Sequence, residues 1–263
     1  KSITALVVGK LSSDQFNALS AAQVAGLSAD QVKTLPQSTY AGMADDVIAS
    51  FTAKGTLGVV DFKKVPSGII SKFLPTQIAG LTDAQLVSLD QPKVAALTAE
   101  KAAALTATQA KNFTPNFVKF LSGEGVSSLT PATLAAISPK SLAAVTNLDG
   151  LTEVNTVALT SAQLNALTSV QIRAMSATND DFQFINKAAL AGLDKKNIAG
   201  LDVSKITDVQ LTTLTADQLN AMTTAATTGG AATGGAATGG AVAPTTPTTV
   251  APVEPTTPTT PTT

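Results

Sequence analysis

Residues 19–26, Leu19-Ser20-Ala21-Ala22-Gln23-Val24-Ala25-Gly26, carry two helix-start signals in eight positions. Ser20 followed three residues later by Gln23 is a capping box: the hydroxyl caps the N3 amide, and the Gln side chain reaches back to the N-cap amide. Leu19, before the cap, and Val24, after the Gln, stand at the N′ and N4 positions of a hydrophobic staple. Far along the chain Leu159-Thr160-Ser161-Ala162-Gln163-Leu164-Asn165-Ala166 repeats the arrangement.

The octad recurs through most of the sequence. With the large apolar residue as position one, the beat runs from Ile3 to Phe51 and from Phe73 to Val145. It returns at Leu159, Leu167 and Met175, at Leu193 and Leu201, and at Ile206, Leu214 and Met222. Position two is usually Ser, Thr or Asp, and position six is usually apolar. Position five is often Gln, as at Gln15, Gln77, Gln109, Gln163 and Gln218. A continuous strand would send positions one and six to opposite faces. A continuous helix, at about 100° per residue, would wind the apolar stripe around its axis by about 80° per octad. The chain must therefore turn within every repeat.

A helix of one or two turns is marginal alone and has to be held by its neighbours. The expected fold is all-α: a solenoid of short capped helices, one per octad, over residues 1–222, followed by a disordered tail over 223–263. Positions one and six are expected to be buried. Small residues at position eight would allow close approach where one helix hands over to the next.

The interruptions repeat too. Asp61-Phe62-Lys63-Lys64-Val65-Pro66 leads into Phe73, and Asp181-Phe182-Gln183-Phe184-Ile185 leads into Leu193, and the two segments align without a gap. Asn147-Leu148-Asp149-Gly150-Leu151 before Leu159 has the same shape. Eleven-residue variant units are thus placed near 51–72, 148–158 and 182–192. Two readings stand: a spacing correction in a drifting superhelix, or bulges that gather into a binding face.

The pattern L-[S/T]-x-x-Q-[V/I/L]-x-[A/G], carried by residues 19–26 and 159–166, resembles the octapeptide tracts of large repetitive surface or adhesin-like proteins of microbes. The resemblance covers roughly residues 3–222. It implies an exported, cell-envelope or matrix role and supplies no functional residues.

Composition narrows the chemistry. Hydrophobic residues make up 44% but aromatics only 4%, which suits a thin core repeated many times. Charged residues are 13% with formal net charge −1, so steering toward nucleic acid or anionic lipid is not expected. No apolar run approaches the length of a membrane span, so no membrane insertion is expected within this chain. Cys and His are absent, which excludes disulfides, zinc sites of the usual kind and the common triads. Asp45-Asp46 and Asn179-Asp180-Asp181 are the densest acidic spots; neither matches a calcium loop, and both read as turn or capping residues. Asn112-Phe113-Thr114 is a formal glycosylation sequon, with Pro115 and the buried register of Phe113 against its use. No catalytic, cofactor-binding or metal-ligating residue is singled out, and no cofactor is expected.

From Thr223 the octad stops. Thr-Gly-Gly-Ala steps read as a flexible linker, and the Pro-Thr-Thr steps to Thr263 as extended polyproline II. An O-glycosylated stalk and an unmodified linker fit this composition equally. A start at Lys1 rather than Met is expected of a processed or excerpted product. The expected function is a non-enzymatic, extracellular structural or adhesive module on a stalk, secreted or at the cell surface, with a cell-surface or matrix protein or glycan as partner. The alternative is a solenoid scaffold that recognises one specific protein or glycan.

Overall fold

The computed structural model describes residues 3–229, except 53–54, 122, 147, 149, 179–182, 200 and 202. The described residues contain no strand. They form a solenoid of short helices, most of four to six residues, one to an octad.

The local chemistry is the expected one. At Ser12, Ser20, Ser28, Thr82, Thr106, Thr160 and Thr207 the hydroxyl accepts from the Gln N–H three residues on, and the Gln side chain accepts from the cap N–H. Where no hydroxyl is present, at Leu74, the Gln77 half of the box persists. Pro115, Pro131 and Pro139 open their helices, where a missing N–H costs nothing. The turn between helices is made by two extended residues, as at Leu159 (φ −63°, ψ 134°) and Thr160 (φ −90°, ψ 157°).

Helices stack at intervals of three. Ala5–Val8 packs on Ala29–Lys33, Ser13–Asn17 on Gln37–Ala41, and Ala21–Ala25 on Asp45–Ala49. Each coil thus has three sides. The carbonyl of Leu105 accepts from Thr133 and that of Phe113 from Ser141, each across 28 residues. Subtracting the four residues between positions one and five leaves a coil of about 24 residues, three octads. A fully buried leucine contributes about 1.5–3 kcal/mol, and buried apolar residues from Val8 to Met222 join in one cluster, so the core is continuous from coil to coil.

Positions one and six are buried through the interior: Leu105 is 1% exposed, Leu134 0% and Ile137 2%. The ends depart from this. In the first coil Leu11, Leu19 and Leu27 are half-buried and Ile3 is exposed, while the position-six residues Phe16, Val24 and Val32 are fully buried. In the last coil the pattern inverts: Leu214 is buried, Leu211 is half-buried and Leu219 is exposed. Position one therefore packs toward the preceding coil and position six toward the following one.

Each eleven-residue unit contains an octad behind a three-residue insert. Val65, Leu151 and Ile185 are buried position-one residues, followed by N-caps Pro66, Thr152 and Asn186 and helices Ser67–Ile70, Glu153–Ala158 and Lys187–Ala191. The first insert is 62–64, and the other two include residues outside the described ones. A 3-10 helix, Leu57–Val59, forms the side that packs on Ala29–Lys33 in the first case. Around the second, helices stack at an interval of two: Pro131–Ala136 with Glu153–Ala158, and Pro139–Leu142 with Ser161–Ala166. The last helix, Ala216–Gly229, runs past the expected end of the octads at 222, and residues 230–263 of the expected tail lie outside the described residues.

Candidate interaction surfaces

The position-five glutamine does more than cap its own helix. Its Oε1 accepts from the N-cap N–H, and its Nε2 donates to backbone carbonyls of the preceding coil. Gln109 reaches Ile78 and Leu81 at 3.0 and 2.9 Å, Gln163 reaches Leu134 and Ile137 at 2.8 and 2.9 Å, and Gln218 reaches Ala191 and Leu193 at 3.0 and 2.9 Å. These carbonyls lie at the end of a helix, where the i to i+4 partners run out, and those of Ile78 and Leu134 also accept from the N–H three residues on. The separation is 28 residues for Gln109 to Leu81, 26 for Gln77 to Phe51 and 25 for Gln210 to Ile185. The same bond thus persists where the coil contracts. In the first coil Gln15 and Gln23 are exposed, make the capping bond, and have no inter-coil acceptor among the described residues.

A second clamp runs the other way. Asn17 donates to the Gly42 carbonyl at 2.8 Å and accepts from Ala44 N–H at 3.0 Å; Asn165 does the same with Gly192 and Asp194, at 2.8 Å each. Here an Asn at position seven of one coil caps an N-terminus in the next, so position five there needs no Gln. It is Val47 in one case and Asn197 in the other. Asn197 donates to the Leu164 carbonyl, but its Oδ1 is buried without a partner. The Leu164 carbonyl keeps the Leu167 N–H regardless. Asn197→Val is therefore expected to change stability by less than about 1 kcal/mol, because losing the bond also removes a buried orphan acceptor. A urea-unfolding loss of more than about 2 kcal/mol would refute this account of the site.

The remaining sequence features fall into structural roles. Asp45 pairs with Lys72 at 2.9 Å, and Asp46 accepts from Val47 N–H, both in the first turn of helix Asp45–Ala49. Asn179–Asp181 lies outside the described residues. Asn112 donates to Asp83 at 2.8 Å, Phe113 is buried and Thr114 caps the next helix, so all three sequon residues are engaged. Among the described residues no group of three acidic side chains could hold a metal ion, and no helix is long and apolar enough to cross a membrane.

The single tyrosine, Tyr40, is buried at position six, and burial, with Asp61 nearby, pushes its hydroxyl well above the usual phenol range. The neutral form is favoured in the fold. Stability is thus fully present below the unfolded pKa of about 10 and falls as pH rises past it, where only the unfolded chain ionises. Phenolate absorbance is expected to appear together with loss of helical circular dichroism; ionisation near pH 10 with the fold intact would contradict it.

Two surface features remain. A shallow groove crosses three coils and is lined by Lys63, Asp83, Ala84, Val87, Ser88 and Asn112. The other is the open first coil, where Ile3, Leu6 and Val7 are 44%, 68% and 49% exposed beside half-buried Leu19 and Leu27. Comparison of the chain with protein-family models and with curated proteins gives no match in either case.

Proposed function

We propose that the chain is a non-enzymatic structural or adhesive module, secreted or held at the cell surface. The repeated coil-to-coil glutamine bond carries this reading. Buried Gln77, Gln85, Gln109, Gln163, Gln210 and Gln218 are all committed to joining adjacent coils. Such a unit can be repeated indefinitely, each coil contacting its neighbours, and it leaves a surface with few charges. A protein or glycan of the cell surface or matrix is the partner this reading implies. The test is attachment of the full chain to cells, matrix and a glycan array. Attachment to cells or matrix is expected, and tight binding to one soluble partner without it would sink the reading.

The groove at the first insert supports a second reading, a scaffold for one specific protein or glycan. It brings a cation, a carboxylate and the 58% exposed Val87 together across three coils. Lys63→Glu with Val87→Asp would abolish binding under this second reading only.

A further inference from the structure

The two ends of the solenoid are unlike, and they match each other. In the interior coils the face toward the preceding coil carries position-one side chains and position-five donors, Gln Nε2 or in places a Thr or Ser hydroxyl. The face toward the following coil carries position-six side chains and the helix-end carbonyls that accept from Gln. The first coil leaves the former face open: Leu11, Leu19 and Leu27 are half-buried, and Gln15 and Gln23 have no inter-coil acceptor among the described residues. The last coil leaves the latter open: Leu211 is half-buried and Leu219 is 37% exposed. The carbonyls of Leu211 and Leu214 receive no glutamine there among the described residues, whereas those of Leu134 and Ile137 both receive Gln163.

We infer that the first coil docks on the last coil of a second copy of this chain, continuing the solenoid from molecule to molecule. The contact would be the interface already repeated inside the chain. Apolar residues would meet apolar residues, and glutamine amides without an inter-coil acceptor would meet carbonyls without a glutamine, the Leu211 carbonyl holding only the Leu214 N–H. The register is also fixed. Gln218 reaches the end of helix Lys187–Ala191, one side earlier in the preceding coil. By the same step Gln23 would meet the carbonyls of Leu211 and Leu214, at the end of helix Asp208–Leu211. The two surfaces differ, so the contact is head-to-tail and does not close on itself. With a formal net charge of −1, repulsion between copies is weak. The inference follows from coil geometry alone and stands whether or not the module is adhesive.

The test is sedimentation velocity and light scattering of the full chain over a wide concentration range. The average mass is expected to rise continuously with concentration through dimer and beyond. Leu19→Glu, which charges the open first coil, and Leu219→Glu, which charges the open last coil, should each hold the protein at the mass of one chain. Far-UV circular dichroism checks that both variants keep their helices; Gln23→Ala, which removes the donor without adding charge, should weaken association at least tenfold. Each variant retains one intact face, so an equimolar mixture of the two should form a species of two chains and nothing larger. A wild-type chain that stays monomeric at every concentration overturns the inference, whether its faces are bare or covered by residues 230–263. So does a folded Leu19→Glu or Leu219→Glu variant that associates as the wild type does, or a mixture that gives no dimer.

Discussion

Gln163→Glu is expected to cost about 3–5 kcal/mol at neutral pH, more than Gln163→Ala, and to recover as the pH falls. Gln163 is 1% exposed. Its Oε1 accepts from Thr160 N–H at 3.0 Å, while Nε2 donates to the carbonyls of Leu134 and Ile137. A glutamate fits the same space and keeps the first bond. Its second oxygen, however, would face two carbonyl oxygens with no proton to give, in a site closed to water. That is a buried charge among like-signed dipoles. Alanine removes these bonds and strands the Ile137 carbonyl, while that of Leu134 keeps the Ile137 N–H, for about 1–3 kcal/mol, but it buries no charge. The carboxyl in the folded protein is pushed above its unfolded value of about 4.3. Stability is therefore present below the unfolded pKa, where the protonated acid donates one bond, and is lost as pH rises through the raised folded value. Urea unfolding at neutral and mildly acid pH measures the effect. Gln15→Glu is the control: Gln15 is exposed and meets no preceding coil, so the change there should stay within about 0.5 kcal/mol. Equal effects at the two sites would show that capping alone explains the glutamine.

That contrast marks what a single octad can reveal. Ser20 and Gln23, with Leu19 and Val24 around them, specify a short helix completely, and short stacked helices follow. Capping accounts for Oε1 and leaves Nε2 without a task, because its acceptors lie 25 to 31 residues away. A signal was nevertheless present. A capping box accepts Glu as readily as Gln, yet position five holds Gln in ten units and Glu in none. Only a need to donate as well as accept excludes Glu. The buried hydroxyls of Thr133 and Ser141 satisfy the same need at other coils.

The inserts show the opposite limit. An eleven-residue spacing, measured from one large apolar residue to the next, hides the octads that begin at Val65, Leu151 and Ile185, because Phe62 and Leu148 are also apolar and also buried. Which side of a coil an insert occupies depends on how many short sides precede it, a sum no local window contains. The open ends were illegible for a related reason. Leu19 and Leu105 occupy the same place in the same motif, and they differ only in whether a coil precedes them.

Gly42→Ala is expected to destabilise by about 2–3 kcal/mol, against the sign that backbone freedom alone would give. Gly42 lies at φ −103°, a conformation open to any residue. By that measure alanine should gain about 0.4–1 kcal/mol through a stiffer unfolded chain. Gly68, within helix Ser67–Ile70, has nothing within 4 Å of an added Cβ, and Gly68→Ala should show that gain. At Gly42 the added carbon would sit 2.5 Å from the Ser13 Cβ of the preceding coil. The backbone cannot retreat, because Asn17 holds the Gly42 carbonyl and the Ala44 N–H on either side of the contact. Repulsion therefore decides the sign. Ser13→Gly removes the opposing carbon and should restore most of the loss, giving a coupling energy of about 1–3 kcal/mol in a double-mutant cycle. Gly192 repeats the geometry, 2.7 Å from the Ser161 Cβ under the Asn165 clamp, so the same cycle with Ser161→Gly should give the same sign. Additive effects at both places would mean that coil spacing adjusts freely. The glycines of the clamped corners would then be there for some reason other than the approach of one coil to the next.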